Sequence, residues 1–234
     1  MKPLALFDFC ETLVSFQTAG AYVDFVRNKS AAAKMQRLNR IRVQLKKWKI
    51  ITLLNKIFPY ANIEKKIELY QLKGFSKEML EQYAAEYYQH KIAPCLIPEL
   101  VAEMARRQNE GYELAIVSGG YSIYLHHFAR ACNIPHVIAT EIAFDSNNIS
   151  TGKIKGQDCM YQYKINRVEA YFSQAGFNKK TAVVYSDSIT DMPLLKWAGS
   201  AVVVSKNKAQ FWAMQQHFPE IIWKTKQQPT AIKG

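Results

Sequence analysis

Hydrophobic and polar positions change rhythm twice along this chain. The run Leu4-Ala5-Leu6-Phe7 is wholly apolar, and residues 3–9 read as a buried strand. From residue 96 onward, strand-like and helix-like stretches alternate. Residues 97–109 read as a helix and 113–117 as a strand. A helix follows over 121–132, closed before Pro135, and then a short strand over 136–139. Residues 145–156 hold Asn, Ser and Gly between β-prone pieces, which fits a hairpin or an irregular excursion. A helix over 163–175, a strand over 182–185, a helix over 191–197 and a strand over 200–204 complete the series. Such alternation predicts an α/β, three-layer, doubly wound and mostly parallel sheet, which the first strand joins across the intervening segment.

That segment, residues 14–94, has a different period. Met35, Leu38, Ile41, Leu45, Trp48, Ile51, Leu54 and Phe58 recur every three or four positions, as one face of a long helix would. Residues 61–72 and 76–90 add two more helical stretches, the second N-capped by Ser76. The pattern predicts a helical insert that leaves the core after the first strand and returns near Pro94. Residues 1–13 and 95–234 then form the core, and 14–94 a helical cap.

Composition narrows the class. Of 234 residues 49% are hydrophobic and 21% charged, enough to bury a sizeable core. The apolar run before Asp8 is too short for a signal peptide, and no stretch reaches the length of a membrane span, so a soluble, cytoplasmic protein is expected. Cys10, Cys95, Cys132 and Cys159 are far apart, without C-x-x-C or partnering histidines, which argues against zinc and against a disulfide framework.

The formal charge of +12 is unevenly placed. Residues 14–94 carry 15 basic and 6 acidic side chains; between 25 and 63 there are ten basic residues and no acidic one. Three readings stand: a solvated outer helix face, attraction of an anionic substrate, or a basic amphipathic helix making peripheral contact with an anionic membrane. Nucleic acid is not expected as a partner, because no recognition fold accompanies the charge.

The candidate chemistry sits at strand ends. Asp8 follows the first strand, and Ser186-Asp187-Ser188-Ile189-Thr190-Asp191 follows the strand at 182–185. Carboxylates at the mouths of two buried strands suggest a cation held between them, and oxygen ligands of this kind suit Mg²⁺. Each residue also has a plainer reading. Thr12 and Asp191 could cap helices, Ser118 could cap after its strand, and Lys164 is one among 31 basic residues.

Taken together the segments resemble the haloacid dehalogenase superfamily. Asp8-Phe9-Cys10-Glu11-Thr12 resembles the signature D-x-D-x-[TV]; LAIVSGG at 114–120 resembles the second motif; Lys164 sits where the third motif has its lysine; and SDSITD resembles [GS]-D-x-x-x-D. The order and spacing are most similar to the phosphoserine-phosphatase-like branch. The resemblance implies a phosphoric monoester hydrolase with an inserted cap, in which Asp8 is the nucleophile and forms an aspartyl-phosphate. Mg²⁺ would be held by Asp8, Asp187 and the backbone carbonyl of Cys10, with Asp191 ligating, holding waters or holding Lys164. Ser118 and the Gly119 N–H, at the start of the next helix, would cradle the phosphoryl oxygens. Lys164 would stabilise charge on Asp8 and on the phosphoryl group, and Thr12 would hydrogen-bond around them.

Two positions depart from the pattern. The family's acid/base aspartate is Cys10 here, leaving the role to Glu11, to a cap residue, to a slow enzyme or to none. Gln17 stands where phosphoserine phosphatases carry a glutamate for the substrate ammonium, which disfavours an amino-acid phosphate. The expected substrate is a small phosphomonoester, among them sugar, nucleotide-linked or lipid phosphates. The alternatives are a phosphotransferase, a lipid-phosphate phosphatase, or a catalytically weak phospholigand-binding protein.

Overall fold

Alternation of side chains across the strands sorts the core into two layers. On β1 (Leu4–Phe7), Leu4 and Leu6 join one hydrophobic cluster while Ala5 and Phe7 join the other. The same split divides Ala115 and Val117 from Leu114 and Ile116 on β2 (Glu113–Tyr121), and Val184 from Val183 and Tyr185 on β5 (Val183–Ser186). A strand buried on both faces needs helices on both sides, which is why these runs are apolar throughout. The computed structural model describes residues 2–30, 62–173 and 176–225.

The described strands form one seven-stranded sheet in the order β4-β3-β2-β1-β5-β6-β7. The others are β3 (His136–Phe144), β4 (Ser150–Lys155), β6 (Ser200–Lys206) and β7 (Glu220–Trp223). All neighbours run parallel except β3 and β4, which form an antiparallel hairpin. Phe7 stacks on Tyr185 across β1 and β5, with centroids 4.3 Å apart. The strand order reverses at β1: β2 lies on one side and β5 on the other. In open α/β sheets the crevice beyond the strand ends at such a point is where ligands bind.

One face is covered by α6 (Gln162–Phe172), α7 (Met192–Trp197) and α8 (Phe211–Gln215), through Ile165, Val168, Phe172, Leu194, Leu195 and Ala213. The other carries α4 (Pro98–Asn109) and α5 (Ser122–Ala131), together with α1 (Thr18–Lys29), α2 (Ile63–Tyr70) and α3 (Lys77–Tyr87). Ser76 does cap α3, accepting from the Met79 N–H at 3.2 Å. A π turn over Tyr88–Ile92 and a 3₁₀ turn over Ala93–Cys95 then lead back to the sheet.

Where the chain leaves β1 and where it returns, two backbone hydrogen bonds tie the crossing together. The Ser15 N–H donates to Cys95 O at 3.0 Å, and the Ile97 N–H to Leu13 O at 2.9 Å. The periodic stretch from Met35 to Phe58, and most of the basic run, lie outside the described residues. No helix among the described residues is long and apolar enough to cross a membrane. All four cysteines are free thiols.

Several boundaries differ from the sequence expectation. β2 continues through Ser118 and both glycines to Tyr121, so α5 starts at Ser122. β3 extends to Phe144 and pairs with β4, making residues 145–156 part of a hairpin. α6 spans Gln162–Phe172 and β6 reaches Lys206. The helix α1 and the edge strand β7 have no counterpart in the sequence reading.

Candidate active site

Asp8 follows directly on β1 and is held there by the sheet, its N–H donating to Tyr185 O at 2.8 Å. Lys164, in the first turn of α6, reaches the same point from below. Its Nζ lies 2.8 Å from Asp8 Oδ1 and 2.6 Å from Asp191 Oδ2, with all three side chains at most 10% exposed. Ser186, the last residue of β5, donates to the same Asp191 oxygen at 2.7 Å. Asp191 therefore carries Lys164, and makes no side-chain cap for α7. Removing Lys164 would leave two buried carboxylates facing each other unpaired, a costly arrangement.

Burial raises the Asp8 pKa to about 6; Lys164 opposes this and Asp191 adds to it. Asp187 is pushed up to about 7 by burial and then by the nearby charge of Asp8, against a hydrogen bond from Thr12. Burial alone would discharge Lys164, but Asp191 and Asp8 outweigh it and hold the ammonium charged. Thr12 corrects one expectation. Its hydroxyl donates to Asp187 Oδ1 at 3.1 Å and accepts the Asp187 N–H at 3.0 Å, so it orients Asp187 and not Asp8.

Ser118 Oγ accepts the Gly120 N–H at 3.0 Å, which leaves its own proton to donate elsewhere. Gly119 lies within β2, three residues before α5, so the expected helix N-terminus is not what faces the site. Gly120 is required by space: a Cβ there would lie 2.6 Å from the Tyr124 hydroxyl.

Cys10 is fixed by α1. Its Sγ lies 3.0 Å from Thr18 Oγ1 and accepts the Thr18 N–H at 3.5 Å, while Thr18 Oγ1 lies 2.7 Å from the Tyr124 hydroxyl. Tyr87 donates to Thr18 O at 2.9 Å and packs edge on against Tyr22 and Tyr124, which lie tilted to each other. Burial and then Asp8 raise the thiol pKa to about 11, so it stays protonated at neutral pH. Gln17 donates its amide to Glu11 at 2.6 Å on the rim.

These groups line one cavity of about 660 Å³, whose walls include Asp8, Cys10, Glu11, Gln17, Ser118, Gly119, Lys164, Asp187 and Asp191. Lys65 and Glu68 of α2 line it from the opposite side. Every site residue read from the sequence borders this space except Thr12, which sits behind Asp187. Thr18, Ser186 and Lys65 escaped the sequence reading. Ser186 opens the SDSITD segment, whereas nothing in the spacing points to the other two.

Residues 5–196 match the haloacid dehalogenase-like hydrolase family. The chain is 24% identical to the histidinol-phosphatase of Neisseria meningitidis serogroup C (strain 8013), over 88% of this chain and 91% of that protein. It is 23% identical to the phosphoserine phosphatase of Methanocaldococcus jannaschii, over 94% and 96% of the two chains. A crystal structure of a protein of unknown function from Bordetella pertussis Tohama I superposes with a TM-score of 0.78 at 23% identity, covering 94% and 98%. With the Asp8, Lys164 and Asp187 motifs gathered at one sheet switch point, the chain belongs to the haloacid dehalogenase-like hydrolases.

Proposed function

We propose that this enzyme is a Mg²⁺-dependent phosphomonoesterase working through an aspartyl-phosphate on Asp8. The observation that carries the reading is the buried chain Asp8–Lys164–Asp191 beside Asp187. Burial and then the charge of Asp8 raise the Asp187 pKa, and among the described residues Lys164 pairs with Asp8 and Asp191. That surplus of negative charge fits a divalent cation. Among the described residues no group of three or more His, Cys, Asp or Glu side chains forms a metal cage. Two carboxylates with the residue 10 carbonyl nonetheless suit Mg²⁺, which keeps waters and takes substrate phosphate as ligands. When bound there, the cation would neutralise the meeting of carboxylate and phosphoryl group.

The chain's own groups then divide the work. Asp8, ionised above about pH 6, attacks phosphorus as the bond to the leaving oxygen breaks. Lys164 holds one Asp8 oxygen and keeps its charge beside the reacting group. Ser118 donates its free proton to a phosphoryl oxygen. The Cys10 thiol is a weak donor toward the leaving alkoxide, and being protonated it is no base toward water. Leaving groups that need little protonation are therefore favoured.

Gln17, its amide engaged with Glu11, offers no carboxylate to an ammonium, so the substrate class we infer is a small phosphomonoester other than phosphoserine. Sugar, nucleotide-linked and lipid phosphates fit the basic stretch of the insert, which can attract anions or touch an anionic membrane. Water left unactivated by the thiol would lengthen the life of the aspartyl-phosphate, which suits a second reading, transfer of the phosphoryl group to an acceptor alcohol. A panel of such phosphates, with histidinol phosphate and phosphoserine, with and without Mg²⁺ and acceptor alcohols, tests both. Release or transfer on at least one substrate is expected only with the cation, and activity untouched by chelation would contradict the proposal.

A further inference from the structure

The peptide unit joining Gly119 to Gly120 is gripped at both ends. Its N–H, on Gly120, donates to Ser118 Oγ at 3.0 Å. Its carbonyl, on Gly119, accepts from Lys65 Nζ at 2.5 Å. Lys65 belongs to α2, in the insert, and its side chain is only 11% exposed. An ammonium has three protons, and here each has an acceptor: Gly119 O, Thr140 Oγ1 at 3.0 Å, and the Asp158 carboxylate, with which it makes an ion pair. No proton of Lys65 remains for a substrate, so its effect on the reaction passes through what it holds.

What it holds is anchored from every side. Thr140 donates to Asp158 Oδ1 at 2.6 Å and accepts the Cys159 N–H at 3.2 Å. Asn62, which precedes α2, donates to the other Asp158 oxygen at 2.7 Å. α2 is thereby tied to β3 and to the segment before α6 by two side chains on one carboxylate, itself 12% exposed. A cation on a peptide carbonyl polarises the N–H at the other end of the same unit, and hydrogen bonds in series strengthen one another. A hydroxyl that accepts a stronger bond is itself a better donor.

We infer that Lys65 is a positioning residue, which couples the insert helix to the phosphoryl-binding hydroxyl of Ser118 through the Gly119–Gly120 peptide. The inference rests on the reading of Ser118 as the phosphoryl donor. Seating of α2 over the cavity and assembly of the phosphoryl cradle are then one event. With Lys65 withdrawn, the peptide is free to turn and Ser118 loses its orientation.

The test is binding of inorganic phosphate to the full chain in Mg²⁺, by calorimetry, with kcat and KM on an aryl phosphate alongside. Lys65→Met should weaken phosphate about tenfold in the Ser118 background and add little in a Ser118→Ala background. Asp158→Asn, which keeps its shape while loosening Lys65, should weaken phosphate in the same sense by a smaller factor, and it carries the test if Lys65→Met fails to fold. Equal losses with and without the Ser118 hydroxyl would overturn the coupling and leave Lys65 a structural tie. Unchanged phosphate affinity in both variants would overturn it as well. A wild-type chain that binds no phosphate in Mg²⁺ would instead overturn the reading of the site, and this inference with it.

Discussion

At position 10 a sulfur stands where the superfamily pattern has a carboxylate, and its surroundings are already suited to one. The Thr18 N–H and hydroxyl both meet Sγ, and both can donate to an oxygen. Cys10→Asp should therefore be accepted without rebuilding α1. Positioned acid–base catalysis supplies roughly 10²–10⁴-fold, so turnover of alkyl phosphates should rise toward that range in the variant. Aryl phosphates, whose leaving groups depart unaided, should gain far less, and less aspartyl-phosphate should accumulate. Steady-state rates on an alkyl and aryl pair, with Cys10→Ala as control, read the difference. Equal rates in all three proteins would show that this position moves no proton.

The acidic pair gives a prediction in pH. Asp8 and Asp187 have folded pKa values of about 6 and about 7, above the ordinary carboxylate value of 3.8. Between those limits the native state binds more protons than the unfolded chain, so cation-free stability falls as pH rises from about 4 through 7. Mg²⁺ competes with those protons. The rise in Tm on adding Mg²⁺ should accordingly be larger at pH 8 than at pH 5.5, as differential scanning calorimetry would show; a rise independent of pH would place the cation elsewhere. Asp8, Ser118 and Asp187 were legible in the sequence as residues at apolar strand ends, and Lys164 and Asp191 only through the spacing of the motifs they resemble. The Lys65–Asp158 pair was not, since contacts between residues 93 apart leave no trace in local spacing; Thr18, only eight residues from Cys10, was missed because α1 has no counterpart in the sequence expectation.

Among the elements, those with a strong period and a clear stop were legible: β1, α4, β5 and α7 all fall within a few residues of expectation. β2 runs past the expected end at residue 117 because the sheet continues to pair, with a register shift after Ser118, as far as Tyr121. α1 was hidden inside a long helical segment, and β7 is four residues at a sheet edge, recognisable only from its pairing with β6. The turn between α7 and β6 makes a tight joint. Gly199 donates its N–H to Lys179 O at 2.7 Å, and a Cβ at Gly199 would lie 1.8 Å from the Lys180 carbonyl oxygen. Gly199→Ala must move backbone against backbone, at a cost of about 1–3 kcal/mol. In a chain of this size that lowers Tm by at least about 2 °C. An unchanged melting curve would mean that the joint yields freely.

For the molecule as a whole, division of labour follows the chain path. The sheet brings motifs from the N-terminal strand, from β2, from α6 and from the end of β5 to one mouth, and α1 and α2 of the insert close over it. The alternating half of the sequence made the sheet legible. Which insert side chains reach the site was not readable, because a helix face in sequence does not say what it faces. The proposed chemistry requires Asp8 to act as a nucleophile with a cation beside it. Phosphate release from an aryl phosphate, compared between wild type and Asp8→Asn with and without Mg²⁺, measures this most directly. Wild type should release phosphate only with Mg²⁺, and Asp8→Asn should lose at least about 10³-fold in kcat; release by Asp8→Asn at a rate comparable with wild type would contradict the mechanism.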